Sequence, residues 1–269
     1  MNTLSRSGPE ILGEGELGWF LLEQIEDALI RIADNVELKP NHLGVFSRSI
    51  ARTLFDIGIT AEGIMKKIVN DDALDKDAHL HEALQKARRT AYPFPNISDY
   101  RCVLEPTFNL SKRYVMFRHF SYSRVLTPFS SFADSAPTWW RIYVESKHDF
   151  LNPDKIDQAT LDQVLNGLAG VFLLTVLCRR YWPALILNHK IVIGRITGST
   201  YQDTGMNMED LYRELHEAIF PSLEIVPRQR IPVGLLQGDI LANSRLFFCA
   251  LAQLTNDNRY EIPSPPPQR

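Results

Sequence analysis

Thr160–Leu177 reads TLDQVLNGLAGVFLLTVL, and this stretch decides the fold. Leu161, Val164, Leu165, Leu168, Phe172, Val176 and Leu177 recur mostly at three- and four-residue steps, which winds one apolar face along an α-helix. Thr160 and Gln163 stand at capping-box spacing at its start, and Trp182-Pro183 closes the run. The most apolar part, Gly167 to Cys178, is only roughly 12 residues against the ~20 that a membrane span needs. Asp162, Gln163 and Asn166 also open the helix with polar groups. It is expected to be the core helix of a protein that meets no membrane.

Other helical patterns lie around it. Leu17, Phe20, Leu21, Ile25, Leu29 and Ile32 predict a first helix over Glu16 to Asn35, with one apolar stripe. Phe46 to Val69 predicts a second, weakened by Gly58 and Gly63, and Asp71 to Thr90 a third. Ile97 to Leu104 suggests a helix or loop, followed by extended chain around Arg113 to Phe120. Ser135 as N-cap and Pro137 in the first turn predict a helix through His148, ended by Asn152-Pro153. Beyond Pro183, Ile186 to Ile196 suggests a strand pair, Met208 to Phe220 a helix, and Ile240 to Leu254 another. The expected organisation is a flexible 1–15, a helical domain at 16–183, a mixed α/β extension at 184–260 and a disordered tail at 261–269.

Composition narrows the function. With 269 residues, 45% hydrophobic and 23% charged, the chain is long and apolar enough to bury a substantial core. A net charge of -3 supplies no global positive field, so nucleic-acid binding would need a local patch. Cys102, Cys178 and Cys249 are odd in number and form no CxxC pair, which argues against a disulfide framework or zinc knuckle. The N-terminus lacks the basic and apolar regions of a secretory signal, so a cytoplasmic location is expected.

The sharpest chemical pattern is Trp139–Asp149, WWRIYVESKHD. Arg141 and His148 are seven positions apart, which at about 100° per residue puts them on nearly one helix face, roughly 10 Å apart along the axis. The pair suits RNA cleavage by the 2′-hydroxyl. Histidine exchanges protons near neutrality, and arginine stabilises charge building on phosphoryl oxygens. Such chemistry needs no metal or other cofactor, and the sequence offers no obvious metal cluster. The bland reading is a surface salt bridge from Arg141 or His148 to Glu145 or Asp149.

This stretch resembles the signature of the HEPN superfamily, an arginine followed after four to six residues by a histidine. The likeness extends to Thr127–Phe150, TPFSSFADSAPTWWRIYVESKHDF, and on into Asp157–Leu174, DQATLDQVLNGLAGVFLL. FSRSIARTLFDIGITAEGIMKKI at Phe46–Ile68 and NISDYR at Asn96–Arg101 sit where HEPN-like proteins have a second helix and an Ile-x-x-Tyr element. The resemblance covers about Glu16 to Trp182. It implies an up-and-down helical bundle that forms a homodimer, with a metal-independent ribonuclease site of the kind found in phage defence and toxin systems. By that resemblance Arg141 and His148 are the catalytic pair. Lys147 beside them would position phosphate, with Tyr143 as a supporting residue. From its place on the second helix, Glu62 is a further supporting candidate that would orient the histidine, against the plainer reading of a solvated helical position. Ile142 and Val144 depart from the family's polar residue after the arginine and Asn after the tyrosine. They leave a second expectation, a non-catalytic HEPN-like protein that binds a partner protein or a nucleotide.

Another segment points to RNA separately. Between Thr107 and Ala133 there is no Asp or Glu, while Lys112, Arg113, Arg118 and Arg124 alternate with Tyr114, Phe117, Phe120 and Tyr122. Cations for phosphates and rings for bases are what single-stranded RNA binders use, although a buried aromatic strand has the same composition. Other patterns fail. Gly13-Glu14-Gly15-Glu16-Leu17-Gly18 matches GxGxxG, but no strand precedes it and its glutamates repel phosphate. His79 and His81 diverge on a helix, and His216-Glu217 lacks a second histidine.

Overall fold

The computed structural model describes residues 13–119, 122–149, 152–188, 190–197, 200–203 and 239–250. Helices α1 (Glu14–Ala33), α2 (Arg48–Val69), α3 (His81–Ala87) and α4 (Ile97–Phe108) come first, then strands β1 (Val115–His119) and β2 (Tyr122–Leu126). Helices α5 (Thr138–His148), α6 (Pro153–Ile156), α7 (Leu161–Leu177) and α8 (Trp182–Leu187) follow. Strands β3 (Ile191–Thr197), β4 (Thr200–Asp203), β5 (Asp239–Asn243) and β6 (Phe247–Ala250) complete the described chain. The fold is mainly helical, as the periodicities predict.

The decisive stretch is the central helix. Every residue of α7 from Gly167 to Leu177 is buried, because α1, α2, α5 and the strands β1, β2 and β6 surround it. A helix apolar all round survives only when covered on every side. Thr160 precedes α7 as expected, but its side chain makes no cap. Instead the Leu161 and Asp162 amides donate to the Val45 and Leu43 carbonyls at 3.0 and 2.9 Å. A neighbouring loop therefore satisfies the orphan N–H groups that a capping side chain would otherwise serve. No single described helix is long and apolar enough to cross a membrane.

Three local expectations are corrected. Ser135 does not cap α5; Pro137 is the N-cap, and its carbonyl accepts the Arg141 amide at 3.0 Å. The third helix is broken, because the Asp71 and Asp77 carboxylates accept the Ala73 and His79 amides and cap two separate 3-10 turns ahead of α3. Leu17, Phe20 and Leu21 leave the core stripe of α1 and stand exposed, while Trp19, Leu22, Ile25, Leu29 and Ile32 fill it.

The largest correction concerns the far end. Residues 240–250, expected as helix, form the β5–β6 hairpin. Six antiparallel strands line up in the order β2-β1-β6-β5-β3-β4, so β6 pairs with β1 and the sheet runs across the boundary placed at 183/184. Phe247 stacks on Phe172 of α7 at 5.7 Å and meets Phe117 of β1 at 5.6 Å. The hairpin bend is gripped by α1: the Ser244 hydroxyl and the Leu246 amide both donate to buried Glu26, and Arg245 pairs with Asp27. The strand pair read at Ile186 to Ile196 is β3 with β4, shifted toward the C-terminus because α8 occupies Trp182–Leu187. The helix predicted over Met208 to Phe220 and the rest of the run to Leu254 lie outside the described residues.

Candidate functional site

Helix α5 has two unlike faces. Inward, Trp139, Trp140, Ile142 and Tyr143 are buried. The indole N–H of Trp139 donates to the Pro128 carbonyl at 2.9 Å. Phe129, Trp139, Trp140, Tyr143 and Phe55 make a run of edge-to-face rings with centroids 5.4–5.9 Å apart. Such contacts stabilise beyond the area they bury. Two glycines admit this face: a Cβ on Gly58 would fall 2.2 Å from the Tyr143 ring, and one on Gly167 2.9 Å from Ile57 and 3.3 Å from Trp139. The doubt raised by Gly58 in a helix is thereby resolved, since α2 lacks a side chain where the tyrosine docks.

Outward stand Arg141 and His148, both exposed. Among the described residues the Arg141 guanidinium donates to Thr138 Oγ1 one turn back, at 3.3 Å. Among the described residues nothing hydrogen-bonds the His148 ring. Both groups are presented to solvent on one side of a helix whose other side is locked.

Glu62 does not orient His148. Its carboxylate accepts from Lys66 Nζ at 3.0 Å, Lys147 Nζ at 3.2 Å and the Tyr143 hydroxyl at 3.4 Å. Lys147 lies about 100° round the helix from His148 and leans over the Tyr143 ring, 5.5 Å from its centroid. Partial burial pushes the Glu62 carboxyl up, but the hydrogen bonds and charges of Lys66 and Lys147 outweigh it and hold the group below its ordinary range. Burial also raises the Tyr143 phenol. Glu62, Tyr143 and Lys147 together staple α5 to α2. Buried and unpartnered, the Tyr100 hydroxyl is close enough to feel the Glu62 charge, and its pKa is pushed up to about 12 by burial first.

The basic–aromatic segment divides. Lys112 and Arg118 are exposed. Arg113 is buried: its Nε donates to the Phe108 carbonyl at 2.8 Å, and burial lowers its pKa to about 10. Arg124 is engaged by Asp162 at the start of α7, 2.5 Å away. Phe117 is fully buried, Tyr122 packs on it at 6.0 Å, and Phe120 lies outside the described residues. Parity carries the signal: Arg113, Val115 and Phe117 alternate inward, while Arg118 points out. The aromatic ring of β1, Phe117, thus belongs to the core.

A surface feature escaped the sequence reading. The outer sides of α1 and α2 enclose a groove of about 1270 Å³. Its signal was the breadth of the α1 apolar stripe, wider than one buried face requires. Among the described residues no group of three His, Cys, Asp or Glu side chains is placed to hold a metal ion. Compared with family models, curated proteins and solved structures, the chain shows no significant match.

Proposed function

We propose that the chain is a HEPN-like, metal-independent endoribonuclease with His148 and Arg141 as its working pair. The observation that carries this reading is their exposure on one face of α5, while the ring cluster and Glu62 fix the opposite face. A rigid helix with an exposed imidazole and an exposed guanidinium is suited to orient both against a phosphodiester.

The chemistry follows from those groups. A base removes the proton of a ribose 2′-hydroxyl, the 2′-oxygen bonds to the adjacent phosphorus, and the bond from phosphorus to the 5′-oxygen breaks. An acid returns a proton to that leaving oxygen, giving a 2′,3′-cyclic phosphate and a 5′-hydroxyl. One imidazole serves as base or acid, and a second copy of the chain would supply the other, which is why the proposal includes a homodimer. Arg141 stabilises the charge that develops on the phosphoryl oxygens. Exposed Lys112 and Arg118 add phosphate contacts away from the reacting bond, whereas Arg113 and Arg124 are spent on structure. Cellular roles of the defence or toxin kind rest on the family resemblance alone.

A second reading is a non-catalytic HEPN-like binding protein. Buried Ile142 favours it, because the residue after the arginine then offers the substrate no polar group.

The test is gel-based cleavage of a mixed-sequence RNA in EDTA by wild type and His148→Ala. Cleavage by wild type alone, with none of a DNA of the same sequence, supports the ribonuclease. Equal cleavage by the variant removes His148 from the reaction.

A further inference from the structure

Lys66 of α2 and Lys147 of α5 share one carboxylate. Their Nζ atoms lie 3.0 and 3.2 Å from Oε1 and Oε2 of Glu62, and the Tyr143 hydroxyl donates to Oε2 at 3.4 Å. Two ammonium groups on the two oxygens of one carboxylate are within reach of a single further anion. The cluster also sets two positive charges against one negative charge. Among the described residues neither lysine pairs with a second carboxylate, so it keeps an excess of one positive charge. The Lys66 and Lys147 side chains are 55% and 43% exposed, which leaves that excess facing water. Lys86 offers a contrast: it makes the same one-turn pair with Glu82 at 2.8 Å, but there one charge meets one. Exposed ion pairs contribute only about 0–1 kcal/mol, so either ammonium can turn from Glu62 to a stronger anion at little cost.

The position gives the excess charge a use. Lys147 directly precedes His148 and lies about 100° round α5 from it, on the side that meets α2. A strand held at His148 is therefore within reach of both lysines. We propose that Lys66 and Lys147, kept side by side by Glu62, bind the RNA phosphate next to the one that is cleaved. The proposal takes its strand from the ribonuclease reading above and adds a binding subsite to it. Ammonium groups are compact charges with rotatable donors, suited to phosphate oxygens in more than one pose. A metal ion is disfavoured by the same excess of positive charge. Lys66 carries no signal of its own in the sequence, because it meets Lys147 only through the packing of α2 on α5.

Binding is measured by fluorescence polarisation with the full chain and a labelled single-stranded RNA whose 2′-oxygens are methylated, so that it cannot be cleaved. Wild type should bind it with a salt-dependent affinity. Lys66→Ala and Lys147→Ala should each lower the slope of log affinity against log salt by about 0.7, the share of one phosphate contact on a single strand. Near 0.1 M salt that slope corresponds to roughly fivefold weaker binding. Lys86→Ala should leave slope and affinity unchanged. Glu62→Gln should tighten binding while lowering the melting temperature, because it removes the competing charge and weakens the joint between α2 and α5. An ion pair with a purely structural role predicts no gain in affinity. Melting curves by circular dichroism verify that the lysine variants fold. Unchanged slopes in both lysine variants, an equal loss in Lys86→Ala, or weaker binding by Glu62→Gln overturns the subsite. So does absence of binding by wild type, or displacement by AMP as effective as by unlabelled RNA, which would assign the phosphate to a free nucleotide. Cleavage of unmodified RNA by wild type and His148→Ala is scored separately. Its failure removes the ribonuclease reading, whereas unchanged slopes beside intact His148-dependent cleavage remove only the subsite.

Discussion

Helix α5 and the β1–β2 hairpin both attract attention in the sequence as aromatic residues mixed with cations, yet the fold uses them differently. In α5 the rings turn inward and the pair Arg141 and His148 turns outward, so its charged groups stay available. Toward the hairpin Arg113 is drawn into the core, Arg124 is held by Asp162, and Phe117 disappears beneath the sheet. Composition could not separate these outcomes, whereas period could. A helix fixes which side chains share a face from spacing alone, and in a strand inside and outside alternate, so a count of cations over a segment means little.

The contrast is testable at several scales. His148→Ala should lower RNA cleavage about 10²–10⁴-fold, the usual worth of a general acid or base, with melting unchanged. Gly58→Ala attacks the opposite face: its Cβ would sit 2.2 Å from the Tyr143 ring, and urea unfolding should show a loss of about 3 kcal/mol. Cleavage lost in Gly58→Ala would then follow unfolding, not chemistry. Arg113→Ala should cost about 1–3 kcal/mol by removing a buried donor to the Phe108 carbonyl while leaving RNA affinity intact. Arg118→Ala should do the reverse, weakening RNA binding in a salt-dependent way without lowering the melting temperature. An Arg113→Ala protein that is fully stable and binds RNA poorly would break the distinction.

The smallest effect concerns the sheet's anchorage. Glu26 is fully buried with Oε2 unpartnered, and burial, opposed by its bonds to Ser244 and Leu246, raises its pKa above 4.5. The folded chain therefore holds a proton that the unfolded chain releases as pH rises above 4.5, so this group lowers stability through that window. Glu26→Gln should raise the melting temperature at pH 8 and change it little at pH 4. A larger gain at pH 4 would contradict the assignment.

Much of the helical fold was legible. The periods of α1, α2, α5 and α7 gave their extents, and Asn96 and Ser47 cap where short polar residues belong. What escaped was set by tertiary contact. Residues 240–250 have the apolar spacing of a helix, but pairing of β6 with β1 and the grip of Glu26 hold them as a hairpin. Thr160 looked like a cap, but the loop at Leu43–Val45 had taken its role. At the site, the shared face of Arg141 and His148 followed from a count of seven. That Glu62 binds Lys147 and Tyr143, 81 or more positions away, is visible only once α2 lies against α5.

The central claim is that one face of α5 performs chemistry while the other holds the helix in place. Its most direct test is mass spectrometry of RNA products in EDTA for wild type, Arg141→Ala and His148→Ala, with melting curves on the same samples. The account predicts 2′,3′-cyclic phosphate ends from wild type, neither variant producing them, and three superimposable melting curves. Cyclic ends from His148→Ala, or cleavage lost only in step with melting temperature, would contradict it.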